Sequence, residues 1–417
     1  MNSIKRYVLT TRQYILTLLH WTVIACCIGL VGGAVGSLFH IAVNECTLLR
    51  ERTPAIIFLL PLAGMLIVFI YHFLGVEGCG TNTVIESIQS GQNVPIRLVP
   101  AIFVGTVLTH FCGGSAGREG AALQLGGGIG CNVGRMFHLD DKDMREATLC
   151  GMSALFAALF GTPITATMFA LEVISVGIVY HSAAVPCLIS AICGCFVARF
   201  FGIAPTAFTV SAIADMQLGT LLSVALMAAV FAVVSIFFCS ALKHGEHWIE
   251  KLLPHPYLRA FSGGVVLILL TALVGSFAYN GAGMNVIEAA MGGSARPEAF
   301  LMKIIFTTIT IGCGFKGGEV VPTFFIGSTL GCVLGPILGL PADFSAALGL
   351  VSLFCGVVNC PITSIFLALE LFGGTGIIYF TLSCTLSYML SGYYGLYSSQ
   401  KIMYSKLRTE FINVKAR

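Results

Sequence analysis

The sequence predicts an all-α polytopic membrane protein made of two related halves and containing short, broken helices. Three observations carry this. Of 417 residues, 57% are hydrophobic and only 10% are charged, against about 25% charged in a soluble domain, so lipid solvates most of the surface. Several apolar runs are shorter than the roughly 20 residues that span hydrocarbon, and glycine-rich gaps separate them. Finally, three blocks of sequence recur in the same order about 200 residues apart.

The apolar runs fall near 14–43, 55–75, 98–112, 147–160, 163–180, 183–201, 217–242, 260–279, 300–313, 322–340, 343–358, 361–372 and 374–394. Lys5, Arg6 and Arg12 precede the first, which far exceeds the roughly 7–15 apolar residues of a signal-peptide core. The first run therefore reads as an uncleaved helix. The far end is also basic, with Lys401, Lys406, Arg408, Lys415 and Arg417. The positive-inside rule places both termini in the cytoplasm, with an even number of crossings. Short helices at membrane depth are tolerated only when packed in protein or lining a polar cavity, which argues against a simple bundle.

A formal charge of +3 gives no sign of nucleic-acid binding. The 16 cysteines form no CxxC pair and no zinc spacing, so they read as small buried apolar residues. No cofactor and no metal site is expected. The polar stretch "KHGEHWIEKLLPHP" (243–256), with His244, His247 and His255, reads as a solvated linker. This divides the chain into a first transmembrane repeat (1–242), a cytoplasmic linker (243–259) and a second repeat with a short tail (260–417).

The repeated blocks carry the chemistry. "GCGTNTVIE" (78–86) returns as "GAGMNVIE" (281–288), "GREGAALQLGGGIGCNVG" (117–134) as "GGEVVPTFFIGSTLGCVLG" (317–335), and "TPITATMFALEV" (162–173) as "CPITSIFLALEL" (360–371). Each block opens at or near glycines and continues as a helix. A helix start exposes unpaired N–H groups and about half a positive charge, a ready site for an anion. Glu119, in the first turn of such a helix, either occupies that site when charged and yields it when protonated, or serves only as a static dipole partner. Glu319 matches it in the second half, and two close carboxylates favour sharing one proton. Glu86 and Glu288 read as helix-stabilising carboxylates. Glu172 and Glu370 end the PIT segments and are expected at an interface. Arg118 and Lys316 either raise the local positive potential or snorkel to water, and His110 reads as structural.

"GGSAG" (113–117) fits the G-x-S-x-G elbow of serine hydrolases. An intramembrane hydrolase is thus a remote alternative, weakened because a membrane helix, not a strand, precedes Ser115. "GGGIG" lacks the lysine and hydroxyl of a phosphate loop, so ATP binding has no support.

These residues resemble the CLC family of anion channels and proton-coupled antiporters. Three family motifs line its anion path, and here they look like "GCGTN" (78–82), "GREGA" (117–121) and "GEVVP" (318–322), with Tyr397 of "GLYSS" matching a C-terminal tyrosine. The resemblance covers nearly the whole chain. It implies the CLC fold with two inverted repeats, a homodimer in the lipid bilayer with one pathway per subunit, and Glu119 as the external gating glutamate. The implied anion-binding set is Gly78, Cys79, Gly80, Asn82, Gly117, Arg118, Gly120, Gly318, Val320, Val321 and Tyr397. The chain stops soon after Tyr397, so the regulatory CBS domains of some members are not expected.

The departures point within the family. Its chloride-holding serine is Cys79, Ile-Pro becomes Thr81-Asn82, the proline after GREG is Ala121, and Glu319 adds a carboxylate to the third motif. The internal proton glutamate of chloride exchangers falls at Val173. This combination resembles the fluoride-exporting branch. The expected activity is fluoride/proton antiport, exporting cytoplasmic fluoride through the inner (plasma) membrane, with chloride/proton antiport or a chloride channel as the alternative.

Overall fold

The fold alternates glycine-started helices with long apolar ones, and the two halves have the same order. The computed structural model describes residues 2–210 and 213–417, with side chains from residue 11 onward. Lys5 and Arg6 of the N-terminal basic group lie outside the described side chains. The first half contains α1 (Asn2–Arg52), α2 (Leu60–Leu74), α3 (Thr81–Ser90), α4 (Leu98–Cys112), α5 (Glu119–Met136), α6 (Asp141–Phe160), α7 (Pro163–Glu172) and α8 (Ala184–Phe200). The second contains α9 (Leu218–Leu252), α10 (Pro256–Val274), α11 (Met284–Met291), α12 (Ala299–Gly312), α13 (Val320–Ile337), α14 (Ala342–Val358), α15 (Pro361–Phe372) and α16 (Ile377–Leu390). Among the described residues, six helical segments are long and apolar enough to cross a membrane, while α4, α12, α14, α15 and α16 are apolar but shorter. The thirteen apolar runs omit only α3, α5 and α11, which the glycine-opened blocks locate instead.

The core is α5 and α6 in one half and α13 and α14 in the other. Every residue from Ala147 to Phe160 and from Phe344 to Val358 is buried. Glycines let these pairs meet backbone to backbone. A Cβ on Gly126 would run into the Gly151 backbone, and at the matching place one on Gly327 would run into Gly349. Without a hydrophobic force between helices in lipid, such close packing is a main source of association.

A reciprocal pair of caps relates the halves. Glu172, ending α7, accepts hydrogen bonds at the start of α15 from Ile362 N at 3.2 Å, Thr363 N at 2.9 Å and Thr363 Oγ1 at 2.7 Å. Glu370, near the end of α15, accepts from Ile164 N at 3.0 Å, Thr165 N at 2.7 Å and Thr165 Oγ1 at 2.5 Å at the start of α7. Each carboxylate thus satisfies N–H groups that have no partner within their own helix. The two equivalent helices run antiparallel, so the axis relating the halves is perpendicular to them and the repeats are inverted. Glu172 and Glu370, expected at an interface, cap each other's helices where α7 of one half meets α15 of the other.

Two further features differ from the sequence reading. Residues 243–252 are not a loose linker but the last turns of α9, and Pro256 opens α10 directly after a short turn. The basic tail folds back as a small sheet. Strand β1 (Ser175–Val176) pairs parallel with β2 (Lys401–Tyr404), which pairs antiparallel with β3 (Phe411–Lys415). This sheet anchors the loop that carries Tyr397.

Candidate anion and proton site

The starts of α5 and α13 meet at the centre of the molecule. Gly117 and Gly318 form an isolated antiparallel bridge, with Gly117 N donating to Gly318 O at 2.6 Å and Gly318 N to Gly117 O at 2.7 Å. Only glycine allows this approach. A Cβ on Gly318 would run into the backbone of Gly120, and one on Gly117 would lie 3.0 Å from both Val321 and Pro322. The third helix start, that of α3, is reached through Gly78, whose φ of 72° suits glycine.

Glu119 is the first residue of α5 and has no solvent exposure. Its carboxylate folds back on the helix start, accepting from Arg118 N and Arg118 Nε, both at 3.1 Å. Glu319 is the N-cap of α13. Its Oε2 is buried without a hydrogen-bond partner, and it lies 2.9 Å from where a Cβ on Gly120 would stand. An unsatisfied buried oxygen costs about 1–3 kcal/mol, so this atom is placed for a further partner.

A cavity of about 400 Å³ collects much of the predicted set, with Gly78, Cys79, Gly80, Asn82, Glu319 and Tyr397 on its wall. The Tyr397 hydroxyl is buried and has no partner. Gly117, Arg118, Gly120, Gly318, Val320 and Val321 stand outside that lining. The glycines form the bridge beside it, Arg118 pairs with Glu119, and the two valines are fully buried. Asn82 directs its Oδ1 to Ser399 N at 3.1 Å and so holds the Tyr397 loop. Glu86 does the same, accepting from Ser399 Oγ at 2.6 Å, rather than stabilising the first turn of α3.

Among the polar residues of the cavity that the sequence reading did not assign to the site are Thr81 and Gln124. Gln124 Nε2 donates to Thr81 Oγ1 at 3.1 Å, while Gln124 Oε1 has no partner although the residue is buried. The signal existed: a glutamine in a glycine-rich membrane helix is expensive unless it serves a polar path. Lys316 also lines the cavity, with Nζ 4.5 Å from the Tyr71 ring centroid.

The loop before Glu119 is tied to the second half. Ser115 N donates to Thr310 Oγ1 at 3.0 Å, and Ser115 Oγ shares a hydrogen with Thr307 Oγ1 at 3.1 Å. Ser115 follows helix α4 and bonds only to threonines, which overturns the hydrolase reading. His110 is half satisfied: Nδ1 meets Thr106 O at 2.9 Å, but Nε2 is buried without a partner. Nearby, Lys303 Nζ donates to Gly281 O at 2.7 Å and Arg50 Nη1 to His110 O at 2.8 Å, each within its own half and outside that cavity.

The chain matches the model of the family described as "Voltage gated chloride channel" over residues 63–392. It is 34% identical to a "Chloride/fluoride channel protein" of Pseudomonas syringae pv. tomato, over 93% of this chain and 87% of that protein. Among solved structures it resembles a CLC-type fluoride/proton antiporter with a TM-score of 0.88 and 34% identity, covering 92% of this chain and 98% of the other. A slow cyanobacterial Cl⁻/H⁺ antiporter shares the fold, with a TM-score of 0.78 at 21% identity over 89% of this chain and 94% of the other.

Proposed function

The chain belongs to the CLC family of voltage-gated chloride channels and antiporters, and from that premise we propose that it is a fluoride/proton antiporter exporting cytoplasmic fluoride. It is a multi-pass membrane transporter of anions and protons, not an enzyme. In the proposed cycle, charged Glu119 holds the place of the anion at the start of α5, and protonation releases it. Fluoride then enters, and the proton travels inward as fluoride moves out. Glu319 supplies the second protonatable group and, when protonated, an O–H donor.

The observation that carries the reading is the unpartnered Oε2 of Glu319, in the same cavity wall as the unpartnered hydroxyl of Tyr397. Fluoride is small and strongly hydrated, so its site must supply strong donors to offset dehydration, and hydrogen bonds to an anion are roughly twice as strong as neutral ones. Neither a hydroxyl nor a carboxyl donor here belongs to residue 79, where Cys79 offers only a weak thiol. Gly117, Gly120 and Gly318 let the helix starts converge, and Gly78, Gly80, Arg118, Val320 and Val321 complete the proposed anion path.

We also place the protein in the plasma membrane with both termini cytoplasmic, as a homodimer with one pathway per subunit. Apolar side chains exposed on α7, α8, α15 and α16, among them Ile164, Phe196, Ile362 and Ile378, support a partner or lipid on that face. The proposed organisation is two repeats, α1–α8 and α9–α16, so the boundary expected at 243–259 moves to the segment before α9. The test is purified protein in liposomes, with fluoride, chloride and proton fluxes measured together. Fluoride efflux with proton counterflow, lost in Glu119→Gln, is expected. Chloride moving as fast as fluoride would sink the substrate, and fluoride moving without protons would sink the antiport.

A further inference from the structure

The cavity that holds Glu319 does not end at the anion groups. Its wall continues through Gly312 and Lys316 to Glu246 and Glu250 near the end of α9 and to Arg259 on α10. These two carboxylates differ. Glu250 is engaged by Arg259 Nη1 at 2.9 Å, whereas Glu246 is in no ion pair among the described residues. Glu246 is solvent-exposed, yet α9 brings it against α12: a Cβ on Gly312 would stand 3.3 Å from Glu246 Cα. Glu246 lines the same cavity as Lys316 and Glu319. Lys243 and His247 flank it on its own helix, and Arg259 and Lys316 are the cations facing it from other elements.

A free carboxylate at the mouth of an anion cavity opposes anion entry, so its presence calls for another role. On the tail side of the site, buried Gln400 donates its amide to the carbonyls of Val173 and Val358, both at 2.9 Å. We propose that Glu246 is the cytoplasmic proton-exchange group of the transporter, an inference that rests on the antiport reading. A protonated Glu319 gives up its proton to the solvent of the cavity and becomes a carboxylate. The Glu246 carboxylate takes up that proton, becoming a carboxylic acid, and then loses it to the cytoplasm, returning to its charged form. The Glu250–Arg259 pair leaves Glu246 as the mouth carboxylate without a fixed cation, and Lys316 holds positive charge between the two exchanging groups.

The test compares wild type with Glu246→Gln and Glu246→Asp in liposomes, reading fluoride efflux and proton influx with and without imidazole as a mobile proton carrier. Glu246→Gln should lower coupled flux about tenfold, short of the hundredfold or more typical of positioned acid–base groups because bulk water bypasses an exposed relay in part. Imidazole should restore it, and Glu246→Asp should need no rescue. A merely structural role for Glu246 would give a loss that imidazole does not repair. Full coupled flux in Glu246→Gln overturns the inference, and so does a wild-type flux that rises in proportion to imidazole, which needs no variant. A wild type with no proton flux at all instead overturns the antiport reading.

Discussion

Removing the cap carboxylate Glu172 separates a structural role from a proton-carrying one. Glu172 is 6% exposed and accepts two backbone N–H groups and one hydroxyl at the start of α15. Replacing a capping side chain with alanine costs about 0.5–2 kcal/mol. A carboxylate at a partly buried helix N-terminus contributes up to about 2 kcal/mol more through the macrodipole. Glu172→Ala should therefore destabilise by about 1–4 kcal/mol. Glu370, only half-buried, makes the equivalent contacts with water nearby, so Glu370→Ala should cost roughly 1–2 kcal/mol. Thermal unfolding in detergent, followed by tryptophan fluorescence or scattering onset, measures the order of the two. The variants that fold should keep their ratio of protons to fluoride. A Glu172→Ala protein with wild-type unfolding temperature and lost proton coupling would refute the assignment and place Glu172 on a proton path.

Other substitutions test the site and its packing. Gly120→Ala sets a methyl group 2.9 Å from Glu319 Oε2 and 2.8 Å from Gly318 Cα, so fluoride flux in liposomes should fall steeply, since overpacking costs about 1–3 kcal/mol. Gly126→Val and Gly327→Val each force a side chain into a facing backbone; both should lower yield and thermal stability, measured by size-exclusion chromatography before and after heating. Tyr397→Phe deletes an unpartnered buried hydroxyl, so it should leave stability nearly unchanged while weakening fluoride binding by about 1.5–3 kcal/mol, read by calorimetric titration. Strong destabilisation by Tyr397→Phe would mean that the hydroxyl is structural.

What the sequence made legible depended on the distance over which each interaction acts. The repeated glycine blocks and the two glutamates lie in local patterns, and these led to the helix starts of α5 and α13. The caps did not, because Glu172 and Thr363 are 191 residues apart and nothing local in either PIT segment announces the exchange. The tail was misread for a similar reason. Lys406, counted among free basic residues, is half-buried and donates to Tyr388 O and Ser391 Oγ, both at 3.0 Å, and to Asn359. Its charge is held inside the fold, beside the sheet that fixes the Tyr397 loop. Thr81 and Gln124 went unread because their meaning comes from each other, across two helices.

The inverted repeat explains how a symmetric scaffold supports an asymmetric cycle. The blocks align Arg118 with Gly318, so the pairing partner available to Glu119 is missing from the second half. Gly318 has to be glycine, since the bridge to Gly117 leaves no room beside Gly120. One carboxylate is consequently held by its own arginine, and the other faces the cavity with an unpartnered oxygen. Symmetry brings both glutamates to equivalent helix starts, and the close approach at the bridge gives them different partners. A transporter that moves a proton one way and an anion the other needs that difference. The residue producing it is the glycine demanded by packing, not an added functional group.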